Sequence, residues 1–289
     1  MTLAVGIAGT GRMGAAAARR LVDVGFPVVV ANRTKARAAS LAADLGCDYA
    51  ESFEELAGQV DVVLVLISGE YGVREAILGQ EGILTARDRR AGSLVIMSTV
   101  RPELVNELHG IAVVDAPLVG RPAEFASGGV TILAGGVESD VAALEHLLSS
   151  LGHLVHVGPL GAGATMKLAM NVVIFGLVAS VSECMALATA AGTAPGVAYD
   201  VLTGSALNSR FLELRRPYFV DAGDQPVQFT MESARETLEL VEDAAAAVGV
   251  SLPMTRANIE TLKAAVSTGF GDLDITSLPL TLTSRATAR

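Results

Sequence analysis

The sequence predicts a doubly wound α/β domain, with a parallel sheet between helices, followed by an all-α domain. Three observations predict it. The first half alternates short β-rich runs with helical stretches. A glycine-rich turn directly follows the first such run. After Gly158-Pro159-Leu160-Gly161 the clear strand signals stop and one long helical pattern begins. The domains are therefore expected at 1–161 and 162–289.

Strands are expected at Ala4 to Ala8, Val28 to Ala31, Val62 to Ile67, Leu94 to Met97, Ala112 to Asp115, Val130 to Ala134 and Leu154 to Val157. Most are unbroken apolar runs, as strands covered on both faces must be. Helices are expected between them at Arg12 to Val24, Lys35 to Leu45, Glu103 to His109 and Val141 to Leu151. In the second half the long pattern runs from Ala162 to Ala191, with further helices around Val197 to Leu202, Ser233 to Val248 and Arg256 to Ser267. Gly249 and Gly269 stand where C-terminal stops belong. Leu280 to Arg289 has no periodicity and reads as a loose tail.

Composition removes several function classes. Of 289 residues, 51% are hydrophobic and 18% charged, the make-up of a well-packed globular chain rather than a disordered one. The net charge is −10 with no Lys/Arg-rich run, so the electrostatic footprint of nucleic-acid binding is missing. Cys47 and Cys184 follow no metal-ligand spacing and read as thiols of a reducing compartment. His153 and His156 point to opposite faces of one expected strand and cannot share a metal there. Met1 to Gly6 carries no basic stretch, so a soluble cytoplasmic protein is expected. The apolar run Val172 to Val181 ends at Ser182-Glu183-Cys184, short of the roughly 20 residues a membrane span needs. A buried core helix is expected, with no membrane partner.

Gly9-Thr10-Gly11-Arg12-Met13-Gly14 matches G-x-G-x-x-G between a strand and a helix, the context in which that motif binds a dinucleotide. Gly9 permits the tight turn, Gly11 lets backbone approach a pyrophosphate, and Gly14 lets helix and strand pack closely. The helix N-terminus offers free N–H groups to the phosphates. This is a Rossmann-type arrangement. About 20 residues on, an NAD site usually has Asp or Glu for the ribose hydroxyls. Here the chain reads Asn32-Arg33-Thr34-Lys35. A guanidinium at Arg33 suits a 2′-phosphate, with Thr34 and Lys35 as further donors, so NADP(H) is favoured over NAD(H). The alternative is that Arg33 is a solvated charge at a helix start.

The chain has three lysines, Lys35, Lys167 and Lys263. Lys167 opens the most hydrophobic helix, and Asn171 lies four residues on, on the same face. Burying an ammonium is costly without a partner or a task. Either Lys167 snorkels to solvent, or it is a desolvated proton donor and acceptor with Asn171 holding it or the substrate oxygen.

Taken in order, Gly9-x-Gly11-x-Met13-Gly14, Asn32-Arg33-Thr34, Ser98-Thr99, Asp115-Ala116-Pro117, Lys167-x-x-x-Asn171 and Gly271-Asp272-Leu273-Asp274 resemble the β-hydroxyacid dehydrogenases over nearly the whole chain. That family includes 3-hydroxyisobutyrate dehydrogenase and tartronate semialdehyde reductase, with a nucleotide domain of the 6-phosphogluconate dehydrogenase type. The resemblance implies reversible hydride transfer between NAD(P)H and a small carbonyl or hydroxy acid. It implies Lys167 as acid/base assisted by Asn171, and Thr99 near the nicotinamide ribose. It also implies a helical domain that associates into a homodimer or tetramer. Two departures touch substrate recognition. Val119-Gly120-Arg121 replaces the usual Ser-Gly-Gly, leaving Arg121 either a carboxylate ligand or a structural residue. Glu236-Thr237 replaces the usual Lys-Asp. Imine reduction on the same architecture, and a non-catalytic NADP(H)-binding protein, are the alternative functions.

Overall fold

The computed structural model describes residues 3–223 and 225–284. The chain divides into two compact units between Lys167 and Leu168. In the first unit the order is β1 (Val5–Ala8), α1 (Arg12–Asp23), β2 (Val28–Ala31), α2 (Lys35–Leu45), β3 (Asp48–Tyr49), α3 (Phe53–Gln59), β4 (Val62–Val65) and α4 (Glu70–Leu78). It continues with β5 (Ser93–Ile96), α5 (Pro102–Asn106), β6 (Ala112–Asp115), β7 (Leu118–Val119), β8 (Val130–Gly135), α6 (Glu138–Ala143), α7 (Glu145–Leu151) and β9 (Gly152–Gly158).

The strands form one sheet in the order β3-β2-β1-β4-β5-β6-β8-β7, with β9 paired to β8. Its first six strands have the order 3-2-1-4-5-6 and are parallel, and the chain reverses direction across the sheet beside β1. Neighbours run in step: Ala8 faces both Ala31 and Val65, Val65 faces Ile96, and Ile96 faces Asp115. The loops after β1, β2, β5 and β6 therefore leave along one carboxyl edge. Alternate residues fill opposite sides. Val28 and Val30 join the core beneath α1 and α7, whereas Val29 and Ala31 join the core on the other side. Each fully buried Val, Leu or Ile contributes about 1.5–3 kcal/mol, which explains the continuous apolar runs.

The sheet departs from the expected all-parallel arrangement at one end. There β8 runs antiparallel to β6 and β7, because β7 turns directly back through residues 120–129 without a crossover helix. Neither β3 nor β7 was expected, since two-residue strands carry no periodicity. Two helices, α3 and α4, were also unanticipated. For α3 a signal existed in Ser52-Phe53-Glu54-Glu55, where the Ser52 hydroxyl accepts the Glu55 N–H at 3.0 Å and the Glu55 carboxylate accepts the Glu51 N–H at 2.7 Å. The helix expected from Val141 to Leu151 is two helices, broken where Leu144 leaves helical geometry at φ −101° and ψ 0°.

The second unit contains most of α8 (Ala162–Ala190), then α9 (Pro195–Thr203), α10 (Arg210–Val220), α11 (Met231–Ala247), α12 (Pro253–Ala265) and α13 (Leu278–Ser284). Leu168, Phe175, Val178, Val181 and Met185 of α8 pack with Leu238 and Val241 of α11 and Ile259 and Leu262 of α12. By length and composition α8 could cross a bilayer. One face of it joins this core, whereas only about a third of its most apolar stretch is buried, so the expectation of a fully buried helix is not met. Sequence periodicity missed α10 because Pro217 interrupts it. Asp274 is buried, accepting the N–H groups of Gln228 (2.8 Å), Phe229 (3.2 Å) and Thr276 (3.1 Å), so this member of Gly271-Asp272-Leu273-Asp274 holds the loop before α11. The tail expected from Leu280 is corrected over 280–284, where α13 continues and the buried Thr281 hydroxyl donates to the Leu278 carbonyl at 2.9 Å. Leu278, where this helix begins, is buried in the core of the second unit. Residues 285–289 lie outside the described residues.

Candidate active site

The glycine turn stands at the carboxyl end of β1, beside the reversal point. Gly9 has φ +105°, and a Cβ there would stand 2.5 Å from the Leu66 carbonyl oxygen. At Gly14 a Cβ would fall inside the van der Waals shell of the Gly9 carbonyl oxygen, so helix and turn touch backbone to backbone. Gly11 differs: a Cβ there would meet no atom within 4 Å. Gly9 and Gly14 are demanded by the protein itself, and Gly11 opens onto free space. Gly11 is also the N-cap of α1 and supplies no side-chain cap to the helix. The hydroxyl of Thr10 is buried without a hydrogen-bond partner. A helix start with uncapped N–H groups, open space over Gly11 and an orphaned donor beside it fit a bound pyrophosphate. Arg12 and Met13 form the first turn of α1, with Met13 packed on the sheet core.

The loop after β2 meets the glycine turn through Asn32, whose Oδ1 accepts the Thr10 N–H at 3.3 Å and whose Nδ2 donates to the Thr34 carbonyl at 3.3 Å. Asn32 therefore joins two cofactor loops. Arg33 and Thr34 are exposed. Lys35, expected as a further phosphate donor, instead pairs with Glu51 at 3.1 Å. Close by, Arg37 lines an open depression with Thr10, Ala36, Ser40, Leu41 and Asp44.

Farther along the same edge, Ser98 accepts the Ile67 N–H at 2.9 Å and donates to the Val65 carbonyl at 3.1 Å, tying the ends of β4 and β5 together. Thr99 follows, partly buried. Asp115 ends β6 wholly buried, and accepts the Gly161 N–H at 2.8 Å and the Ala164 N–H at 2.6 Å. Burial pushes its carboxyl pKa up against the opposing pull of those bonds.

The helix so anchored is α8, and Lys167 is its sixth residue. No carboxylate within salt-bridge distance of Lys167 is found among the described residues, and burial drives its ammonium pKa below the ordinary 10.5. One turn later on this continuous helix, Asn171 is buried at 5% exposure. The two side chains share one helical face.

The loop that replaces Ser-Gly-Gly is held by Glu124. Its carboxylate accepts the Arg121 N–H at 2.6 Å and lies 3.5 Å from the Arg121 guanidinium. Val119 pairs with Thr131 in the sheet, and a Cβ on Gly120 would stand 2.9 Å from the same carboxylate. Arg121 thus has a partner within its own loop. At the other departure, Glu236 is exposed and Thr237 bonds back to the Ser233 carbonyl at 2.8 Å. Arg235 beside them is no substitute for the missing lysine, because Glu232 and Glu239 each hold its guanidinium at 2.7 Å.

The family profile for the NAD binding domain of 6-phosphogluconate dehydrogenase matches residues 4–160. A second, for the NAD-binding domain of NADP-dependent 3-hydroxyisobutyrate dehydrogenase, matches residues 161–280. The chain belongs to the β-hydroxyacid dehydrogenase superfamily. Among its relatives, an L-threonate dehydrogenase from Cupriavidus necator is 30% identical over 284 residues, covering 95% of this chain and 94% of its own. A 2-(hydroxymethyl)glutarate dehydrogenase from Eubacterium barkeri is 26% identical, covering 96% and 94%. The crystal structure of a 3-hydroxyisobutyrate dehydrogenase from Salmonella typhimurium superposes with a TM-score of 0.84 at 29% identity, covering 96% of this chain and 99% of that one. This β-hydroxyacid dehydrogenase superfamily member is accordingly an oxidoreductase with an NAD(P)-binding domain, whose glycine turn and reversal point stand where dinucleotides bind in such sheets.

Proposed function

We propose that the protein interconverts a small hydroxy acid and its carbonyl form with NADP(H), using Lys167 as acid and base. The observation that carries this reading is a half-buried lysine on a helix, its pKa lowered by burial, with no neutralising carboxylate among the described residues and the buried Asn171 one turn away. Burial without a counter-ion destabilises an ammonium, so such a lysine releases its proton more readily than a solvated one. The nicotinamide nucleotide supplies hydride transfer when bound. In carbonyl reduction the Lys167 Nζ gives a proton to the oxygen that becomes the hydroxyl. In the reverse direction it takes that proton back. The Asn171 amide holds the same oxygen or the lysine. By the family resemblance, Thr99 would hold the nicotinamide ribose, and Val119, Gly120 and Arg121 would form the substrate loop. The named substrates of the threonate and hydroxymethylglutarate relatives support a carboxylate-bearing hydroxy acid. A panel of hydroxy acids, aldehydes, keto acids and cyclic imines assayed with both nucleotides tests the reading, which requires turnover of a hydroxy acid or its carbonyl partner. Turnover of imines alone would overturn it.

Nucleotide choice rests on Arg33 and Arg37, with no acidic residue at the end of β2. Arg33→Ala should reduce kcat/KM with NADPH about 10-fold or more, the scale of a lost charge-assisted phosphate contact, while the NADH value changes little. An unchanged NADPH/NADH ratio would remove Arg33 from the phosphate site.

Self-association through α8 belongs to the same reading. Met166, Val173 and Leu187 are 43%, 70% and 75% exposed. With Ser180 they repeat every seven residues along one stripe of the helix, the spacing at which a second helix packs. A closed two-fold pair is the simplest arrangement. Light scattering at micromolar protein should give at least twice 29.7 kDa, and Val173→Glu should shift that mass toward the monomer. A wild-type monomer would refute the interface.

A further inference from the structure

Asp115 is spent on one task, the start of α8. Its Oδ1 accepts the Gly161 N–H at 2.8 Å and its Oδ2 the Ala164 N–H at 2.6 Å, so the carboxylate bridges the first turn of the helix. The surrounding space is shaped to it. A Cβ on Gly135 would stand 2.5 Å from Oδ1, and a Cβ on Gly163 would stand 2.8 Å from Oδ2. Gly135, at the end of β8, leaves room for this carboxylate, whereas a Cβ on Gly163 would meet the Leu133 carbonyl oxygen first and the carboxylate after it. The cap comes from β6, 46 residues before Gly161 in sequence. The negative carboxylate also meets the positive end of the helix dipole.

We propose that Asp115 is a positioning residue for Lys167. By gripping the first turn of α8 it sets the rotation and height at which the helix presents the lysine to the carboxyl edge of the sheet. Lys167 lies three residues beyond Ala164. Each residue turns an α-helix by about 100°, so a one-residue slip in the first turn would carry Lys167 and Asn171 away from their shared direction. A displacement of about 1 Å at a reacting group costs on the order of 100-fold in rate, so the precision of this start matters more than its contribution to stability.

The proposal rests on Lys167 as proton carrier, and its test separates the two. Asp115→Asn keeps the shape but turns an NH2 group toward one of the two N–H donors. The folded variant should show kcat lowered about 10-fold or more, with KM for the nucleotide within about threefold of wild type, as expected for a misplaced group that does not bind nucleotide. The Lys167 limb of the kcat–pH profile should move up as the amine reaches solvent. Peptide-resolved acetylation should proceed faster at Lys167, with Lys35 and Lys263 as internal standards, and this readout needs no turnover. Asp115→Ser, which keeps one acceptor, takes its place if the amide variant does not fold. A folded variant with lowered thermal stability but unchanged kcat, pH limb and acetylation would overturn the proposal. An active Lys167→Ala enzyme would instead refute the proton-carrier reading, while the acetylation comparison would still decide whether Asp115 sets the lysine.

Discussion

Lys167→Ala should lower kcat about 100-fold or more while nucleotide binding persists, because general acid–base catalysis typically supplies 10² to 10⁴ and the nucleotide cradle is built from other residues. Near-wild-type turnover by a folded Lys167→Ala protein would remove the residue from the chemistry. The pH dependence has a definite sign. Reduction needs the ammonium, so its kcat should fall as pH rises through the lowered Lys167 pKa. Oxidation needs the free amine, so its kcat should rise through the same pKa. Both limbs should lie below the ordinary 10.5 and vanish together in the variant. Stability carries the same signature. The folded state holds its proton less tightly than the unfolded state, so stability rises with pH between the lowered folded value and the unfolded one. Below that window the penalty is present in full. Lys167→Met should therefore raise Tm at neutral pH while abolishing turnover, an exchange of stability for function.

The second large effect is expected in the glycine turn, where two positions of one motif should fail differently. Gly14→Ala should lose both stability and nucleotide binding, because its Cβ has nowhere to go but the Gly9 carbonyl, backbone against backbone. Overpacking of this kind costs about 1–3 kcal/mol when flexible side chains yield, and a carbonyl oxygen yields less. Gly11→Ala should keep the wild-type Tm, since its Cβ meets no atom within 4 Å. It should weaken nucleotide binding nonetheless, because that open space is where the pyrophosphate approaches. Thermal melts with and without nucleotide separate the cases. A Gly11→Ala protein with wild-type nucleotide stabilisation would show that the open space is not the phosphate site.

Much of this was legible because it is local. Runs such as Val28 to Ala31 and Val62 to Val65 announce strands covered on both faces, since a half-exposed strand alternates apolar and polar residues. The glycine motif could be read with its purpose, because its spacing is dictated by the geometry of a strand turning into a helix. Lys167 and Asn171 could be placed on one face from their interval alone. The long helix from Ala162 was expected to within one residue of its observed end at Ala190.

Packing supplied the partners that lie distant in sequence. The fold brings Glu51 beside Lys35 at 3.1 Å and sets Arg37 on one depression with Thr10. Asp115 read as part of a motif, and its work on Gly161 and Ala164 emerged only when β6 met the start of α8. Periodicity and propensity are sums over neighbours along the chain, so they determine the elements and the motifs they carry. Hydrogen bonds and ion pairs are fixed by distances of about 3 Å between groups that may be dozens of residues apart. The sheet's apolar strands, the nucleotide turn and the lysine-bearing helix are thus written in local pattern, whereas only packing pairs the charged groups around them.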